Sequence, residues 1–158
     1  MKKYEFTGET KQVELLFRTA TLHRIRAVVE FGLVKVGDLG GWIEKEENLS
    51  HEGKAWVWGN AKVCGDAKVF SASHVLVIGA IGSRNDFTTF YRDKDGEITV
   101  KCGCFLGKID KFLEKVTATH GNSKYALVYR AAVEVAKLQI DLSGEAPEKE
   151  EREDESNE

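Results

Sequence analysis

The chain has 158 residues, 42% hydrophobic and 31% charged, which is enough to bury one compact core or two small ones. No stretch approaches the roughly 18 apolar residues of a membrane span, and Met1-Lys2-Lys3-Tyr4-Glu5 has no apolar run behind its charges, so neither a span nor a secretory signal is expected. The net charge of −3 divides into −6 on residues 145–158 and +3 on the remainder, a surplus too small for wrapping duplex nucleic acid but compatible with a small anionic ligand.

Residues 1–38 mix alternation with turns. Leu22-His23-Arg24-Ile25-Arg26-Ala27-Val28-Val29 has partial period-2 character and predicts a strand, broken by Phe31-Gly32 and Val36-Gly37-Asp38. Lys11 to Thr19 reads as strand or short helix. Asp38-Leu39-Gly40-Gly41-Trp42-Ile43 and Glu44 to Ser50 then lead into three hexads, residues 53–70, of the form Gly-x-Ala-x-Val-x. A period of six is a signature of a left-handed parallel β-helix, with the alanine and valine pointing inward and glycine at the corners. Three hexads make about one coil, and stacked repeats need roughly three units to bury a continuous core. The repeat is therefore expected to lean on the rest of the chain or on a second copy. Alternation places Trp56 and Trp58 on one side, outward if Val57 points in, so they and Trp42 are interface candidates, within the chain or between subunits.

The run GDLGGWIEKEENLSHEGKAWVWGNAKVCGDAKV resembles a group of phage and prophage proteins that carry Gly-Asn-Ala-Lys-Val hexads after a Gly-Gly-Trp-Ile-Glu lead. The resemblance covers about the first half of the chain and implies a virus-related origin without a settled chemistry. The few hexads here depart from the longer members.

After residue 73 the periodicity changes. His74-Val75-Leu76-Val77-Ile78 predicts a buried strand; Phe87 to Tyr91 and Glu97 to Cys102 predict two more, joined by Asp93-Lys94-Asp95-Gly96, where Asp-Gly favours a hairpin. Ile109, Phe112, Leu113 and Val116 have helical spacing, and Gly121 marks the helix end. Ser123 is a candidate N-cap for a second helix to about Leu142. Its apolar stripe is Ala126, Tyr129, Val133, Ala136 and Ile140, widened by Leu127, Ala131 and Leu138. Residues 145–158 contain the only proline and show no periodicity, which predicts a disordered acidic tail. The expected fold is α+β, mostly β: a short left-handed β-helix-like coil plus a small antiparallel sheet with two C-terminal helices. Its expected divisions are 1–72, 73–144 and 145–158.

Two glycine-bearing segments could hold an anion. Gly82-Ser83-Arg84-Asn85-Asp86 offers a guanidinium and free backbone N–H groups, or it is an ordinary polar turn. Lys101-Cys102-Gly103-Cys104-Phe105-Leu106-Gly107-Lys108 leads into the first helix, where N–H groups and Lys108 could receive a charge. Cys102 and Cys104 could serve half a zinc site, but no second Cys or His pair has metal spacing, and small buried residues are the plainer reading. Three cysteines make no disulfide framework, which points to a reducing cytoplasm. His120 either touches a ligand or favours the helix dipole in the last turn. Arg130 either reaches an anion or belongs to a plain salt-bridged stripe with Glu134 and Lys137.

The ligand-binding candidates are thus Ser83, Arg84, Asn85, Gly103, Cys104, Lys108, His120 and Arg130, with no metal, cofactor or catalytic residue expected. Three functions compete. The first is non-catalytic capture of a small, nucleotide-like anion by a homo-oligomer, similar in outline to phage sponge proteins that sequester the nucleotide messengers of bacterial immunity, including the Thoeris anti-defence type. The second is a structural or protein-binding module, for example a virus-encoded inhibitor that docks on a host protein, such as a defence protein, through the tryptophan face. The third is a hexapeptide-repeat acyltransferase with His51 or His74 as general base.

Overall fold

The computed structural model describes residues 1–145. The predicted tail, apart from Glu145, lies outside the described residues. Among the described residues there are two four-stranded sheets and two α-helices, with two short 3-10 turns. The first sheet has the order β1 (Tyr4–Glu14), β2 (Thr19–Ala27), β3 (Leu39–Ile43), β4 (Lys62–Val63); β1, β2 and β3 run antiparallel, while β3 and β4 are parallel. The second is an antiparallel meander of β5 (Val75–Ile81), β6 (Asp86–Arg92), β7 (Ile98–Cys102) and β8 (Phe105–Lys108). Then come α1 (Ile109–His120) and α2 (Lys124–Gln139).

The left-handed β-helix-like coil expected from the hexads is not formed. Residues 53–70 contribute one two-residue strand, β4, and two isolated bridges, a parallel one from Leu49 to Val69 and an antiparallel one from Ala67 to Asp93. The physical reason is number: three hexads have no second set of repeats to stack on, so they close against other parts of the chain. Their inward positions are nonetheless all buried, Ala55, Ala61 and Ala67 together with Val57, Val63 and Val69. These side chains pack with Tyr4, Ile25, Ile43 and Leu49 of the first half and with Tyr91, Val75 and Val77 of the second sheet.

Period-2 alternation places the second sheet between two layers. On β6, Tyr91 faces the hexads and donates its hydroxyl to the Cys64 carbonyl at 2.7 Å, while Phe90 joins the core under the helices. A strand buried on both faces loses the alternation seen at a solvated sheet, as β6 does from Thr88 to Arg92. The helical core comprises Phe90, Val100 and Phe105 from the sheet with Phe112, Val116, Ala126, Tyr129 and Val133 from the helices.

Three local expectations change. Residues 55–58 are not a strand, and alternation fails there: Trp56 is buried against Tyr4 and Phe31 whereas Trp58 is half exposed. On α2, Leu127, Ala131 and Leu138 do not widen the buried stripe but face solvent. Phe105-Leu106-Gly107-Lys108 pairs with β7 as strand β8, so the segment before α1 is a tight turn at Gly103-Cys104 followed by a strand.

Candidate functional site

Both glycine-bearing segments end at one cleft. The turn between β5 and β6 brings Ser83 and Arg84, the turn between β7 and β8 brings Cys104, and the last half of α1 brings Lys115 and His120. Phe105, Phe112, Val116 and Tyr129 form its apolar floor, and its volume is about 270 Å³. No aspartate or glutamate lines it.

Glycine makes the convergence possible at two positions. Gly82 has φ +76°, and a Cβ there would collide with the Tyr129 hydroxyl. Tyr129 therefore closes onto the β5–β6 turn, beside Ser83 and Cys102, and burial raises its phenol above the usual value. Gly103 has φ +57°, and the Arg84 guanidinium lies across its backbone. His120 stacks on Tyr129 with ring centroids 5.8 Å apart. Because α1 presents its C-terminal half, the helix dipole offers an anion nothing here; Arg84 and Lys115 carry the positive charge.

The other sequence candidates lie outside the cleft. Asn85 occupies the left-handed region at φ +52°, and its N–H donates to the Gly82 carbonyl at 3.2 Å, closing the turn. Lys108 lies at the start of α1, but its ammonium binds Asp93 at 2.8 Å, Asp95 at 2.9 Å and Glu97 at 3.2 Å. Partial burial opposes that charge and the three carboxylates outweigh it, holding the ammonium above the usual lysine range. Arg130 caps the end of α1, donating to the Gly121 carbonyl at 2.9 Å and the Thr117 hydroxyl at 3.2 Å, so the expected pairing with Glu134 is not made; Lys137 takes that carboxylate at 3.7 Å. Trp42 is buried beneath Lys11 and Arg24.

The histidines considered as bases are held by internal contacts. His51 accepts the Lys3 N–H on Nδ1 at 2.9 Å, stacks on Tyr4 and reaches Glu46 through Nε2. His74 accepts the Phe70 N–H on Nδ1 at 3.2 Å. Neither lines the cleft. Among the described residues, no three His, Cys, Asp or Glu side chains are placed to hold a metal ion. No helix there is long and apolar enough to cross a membrane.

Sequence reasoning missed Asn48 and Lys101. Asn48 is fully buried, and its side chain accepts from the Glu44 and Lys45 N–H groups and donates to the Gly65 and Ala67 carbonyls. Lys101 is buried at the end of β7. A lysine amid the apolar alternation of Ile98, Val100 and Cys102 was the available signal for the second.

No protein-family model matches the chain. An uncharacterized acetyltransferase of Escherichia coli K12, YdcK, is 29% identical over 84 residues, covering 46% of this chain and 26% of that protein. The chain thus spans about a quarter of the relative's length.

Proposed function

We propose that the protein is a non-catalytic binder that sequesters a small anionic, nucleotide-like ligand in the cleft between the β5–β6 and β7–β8 turns and α1. The observation that carries this reading is the convergence of Arg84, Lys115 and His120 over an aromatic floor without any carboxylate. Such a surface suits a ligand with an apolar part and a negative group: Phe105, Phe112, Val116 and Tyr129 make the floor apolar, and a guanidinium binds an oxyanion through two parallel N–H bonds. The resemblance of the Gly-Gly-Trp-Ile-Glu lead to phage proteins makes the nucleotide messengers of bacterial immunity the ligand class to test first.

Native mass spectrometry of the full chain purified from a bacterial host tests this directly. Sequestration predicts an added mass of nucleotide size on the wild type that is absent from Arg84→Ala. Identical ligand-free spectra for both proteins, with no nucleotide retained after incubation, would reject it. Acyl transfer is the second reading, favoured by the relative named as an acetyltransferase. Thiol release from acetyl-CoA in the presence of amine acceptors would favour it over sequestration.

A further inference from the structure

A second groove of about 230 Å³ adjoins the cleft and shares Arg84 and Cys104 with it. It lies where the first sheet meets the second, and its polar walls are Lys62, Thr89, Lys101 and Arg84, with Glu14 and Asp86 also present. Lys101 is the unusual member. It is only 5% exposed, its ammonium donates to the Gly103 carbonyl, and among the described residues no carboxylate pairs with it. Burial, with the Lys62 charge adding to it, pushes the Lys101 ammonium below the usual lysine range. A desolvated cation beside a second cation is unfavourable unless an anion completes the site.

The neighbours are arranged for that anion. Thr89 is buried, and its hydroxyl oxygen accepts the Lys62 N–H at 3.0 Å, which leaves the hydroxyl proton to donate. The two carboxylates at the groove already have donors: Asp86 accepts the Phe87 N–H at 2.7 Å, and Glu14 accepts the Thr19 hydroxyl at 3.3 Å. Three cations against these two carboxylates leave a positive surplus.

We infer that this groove is a phosphate subsite, in which Lys62, Lys101, Arg84 and the Thr89 hydroxyl hold the phosphoryl group of a ligand whose apolar part occupies the adjoining cleft. The link to a single ligand rests on the function proposed above; the subsite rests on the groove itself. Arg84 is the shared wall, placed to contact the ligand where its two parts join.

The test is titration of the full ¹⁵N-labelled chain with inorganic phosphate at constant ionic strength, chloride serving as the control anion. Saturable amide shifts at Lys62, Thr89 and Gly103 are expected, with affinity weakened at least about tenfold in Lys101→Met and in Lys62→Gln, as loss of a charge-assisted contact implies. Lys62→Gln guards against misfolding of the first variant, because the residue is only half buried and its contact to Thr89 is made by the backbone. No saturable shift, or shifts that chloride reproduces, would overturn the subsite. Shifts confined to Ser83 and His120 would overturn it too, while leaving the cleft as the anion's place. Absence of a retained nucleotide together with saturable groove shifts would instead reject the sequestration reading and keep the subsite.

Discussion

The Arg84 guanidinium fills the space that a side chain on Gly103 would need, with Nη1 2.7 Å from the position a Cβ would take. One turn thereby sets the position of the charged residue shared by both recesses. Gly103 can do this because it has no Cβ and because its φ of +57° is costly for other residues.

Gly103→Ala is therefore expected to act twice. The left-handed backbone costs roughly 1–2 kcal/mol with a Cβ present, and the methyl group displaces the guanidinium. A modest drop in the denaturation midpoint should accompany a loss of anion binding close to that of Arg84→Ala. Retention of wild-type affinity would show that Arg84 does not need Gly103 to be placed.

Asn48 holds the hexads to the turn that precedes them. Its amide makes four hydrogen bonds in a fully buried position, bonding both the Glu44–Lys45 backbone and the Gly65 and Ala67 carbonyls. Asn48→Ala strands buried N–H and C=O groups, each worth about 1–3 kcal/mol when left unpaired. Urea unfolding should show a destabilisation of at least about 2 kcal/mol with an unchanged slope. A loss below about 0.5 kcal/mol would mean that water replaces the amide.

How much of this was legible in the sequence depends on the kind of question asked. The hexad period identifies the inward positions, and Ala55, Val57, Ala61, Val63, Ala67 and Val69 are all buried. A period does not say what the buried face meets, and that partner turned out to be Tyr4, Ile25 and the second sheet rather than further repeats. Ser83, Arg84, Cys104 and His120 could be nominated from residue type and turn chemistry, and they share one cleft. Lys108 and Arg130 looked equivalent to Arg84 in sequence, yet carboxylates 11 to 15 positions upstream take the first and the end of α1 takes the second. Pairing of a charge is decided by tertiary neighbours, which no local pattern records. Trp56 went astray for a related reason: alternation holds only in a strand, and residues 55–58 are not one.

Asp93 organises the β6–β7 turn. It is buried and accepts from the Asp95 and Glu97 N–H groups, the Thr99 hydroxyl and the Lys108 ammonium. Burial alone would raise its carboxyl; the Lys108 and Thr99 bonds outweigh that and hold it below the ordinary value of 3.8. A depressed carboxyl contributes stability that is present above the unfolded-state value and lost as pH falls through the lower folded value. Asp93→Asn should destabilise by about 2 kcal/mol at neutral pH. The gap between variant and wild type should narrow as pH falls below 3.8, in denaturation curves collected at matched ionic strength. A gap that stays constant through that range would assign the cost to shape rather than charge.

His74 gives a second pH dependence, on the opposite side of neutrality from any lysine. Its ring is 2% exposed, stands edge-on to Phe70 with centroids 4.3 Å apart, and uses the Nδ1 lone pair to accept the Phe70 N–H. Burial, then the neighbouring Arg92 charge, lowers its value below 6.5, with Asp141 opposing. The folded protein thus prefers neutral imidazole, while the unfolded chain takes up a proton near 6.5. Where the unfolded state binds more protons, stability rises with pH, so this contribution is complete above 6.5 and declines as pH falls from there toward the lower folded value. Protonation would also convert Nδ1 from acceptor to donor and set it against the Phe70 N–H. His74→Asn places an amide oxygen near the Nδ1 position and does not titrate. Unfolding free energies between about pH 8 and pH 5 should therefore fall less steeply in the variant than in the wild type. Parallel curves would show that His74 keeps the same proton affinity folded and unfolded.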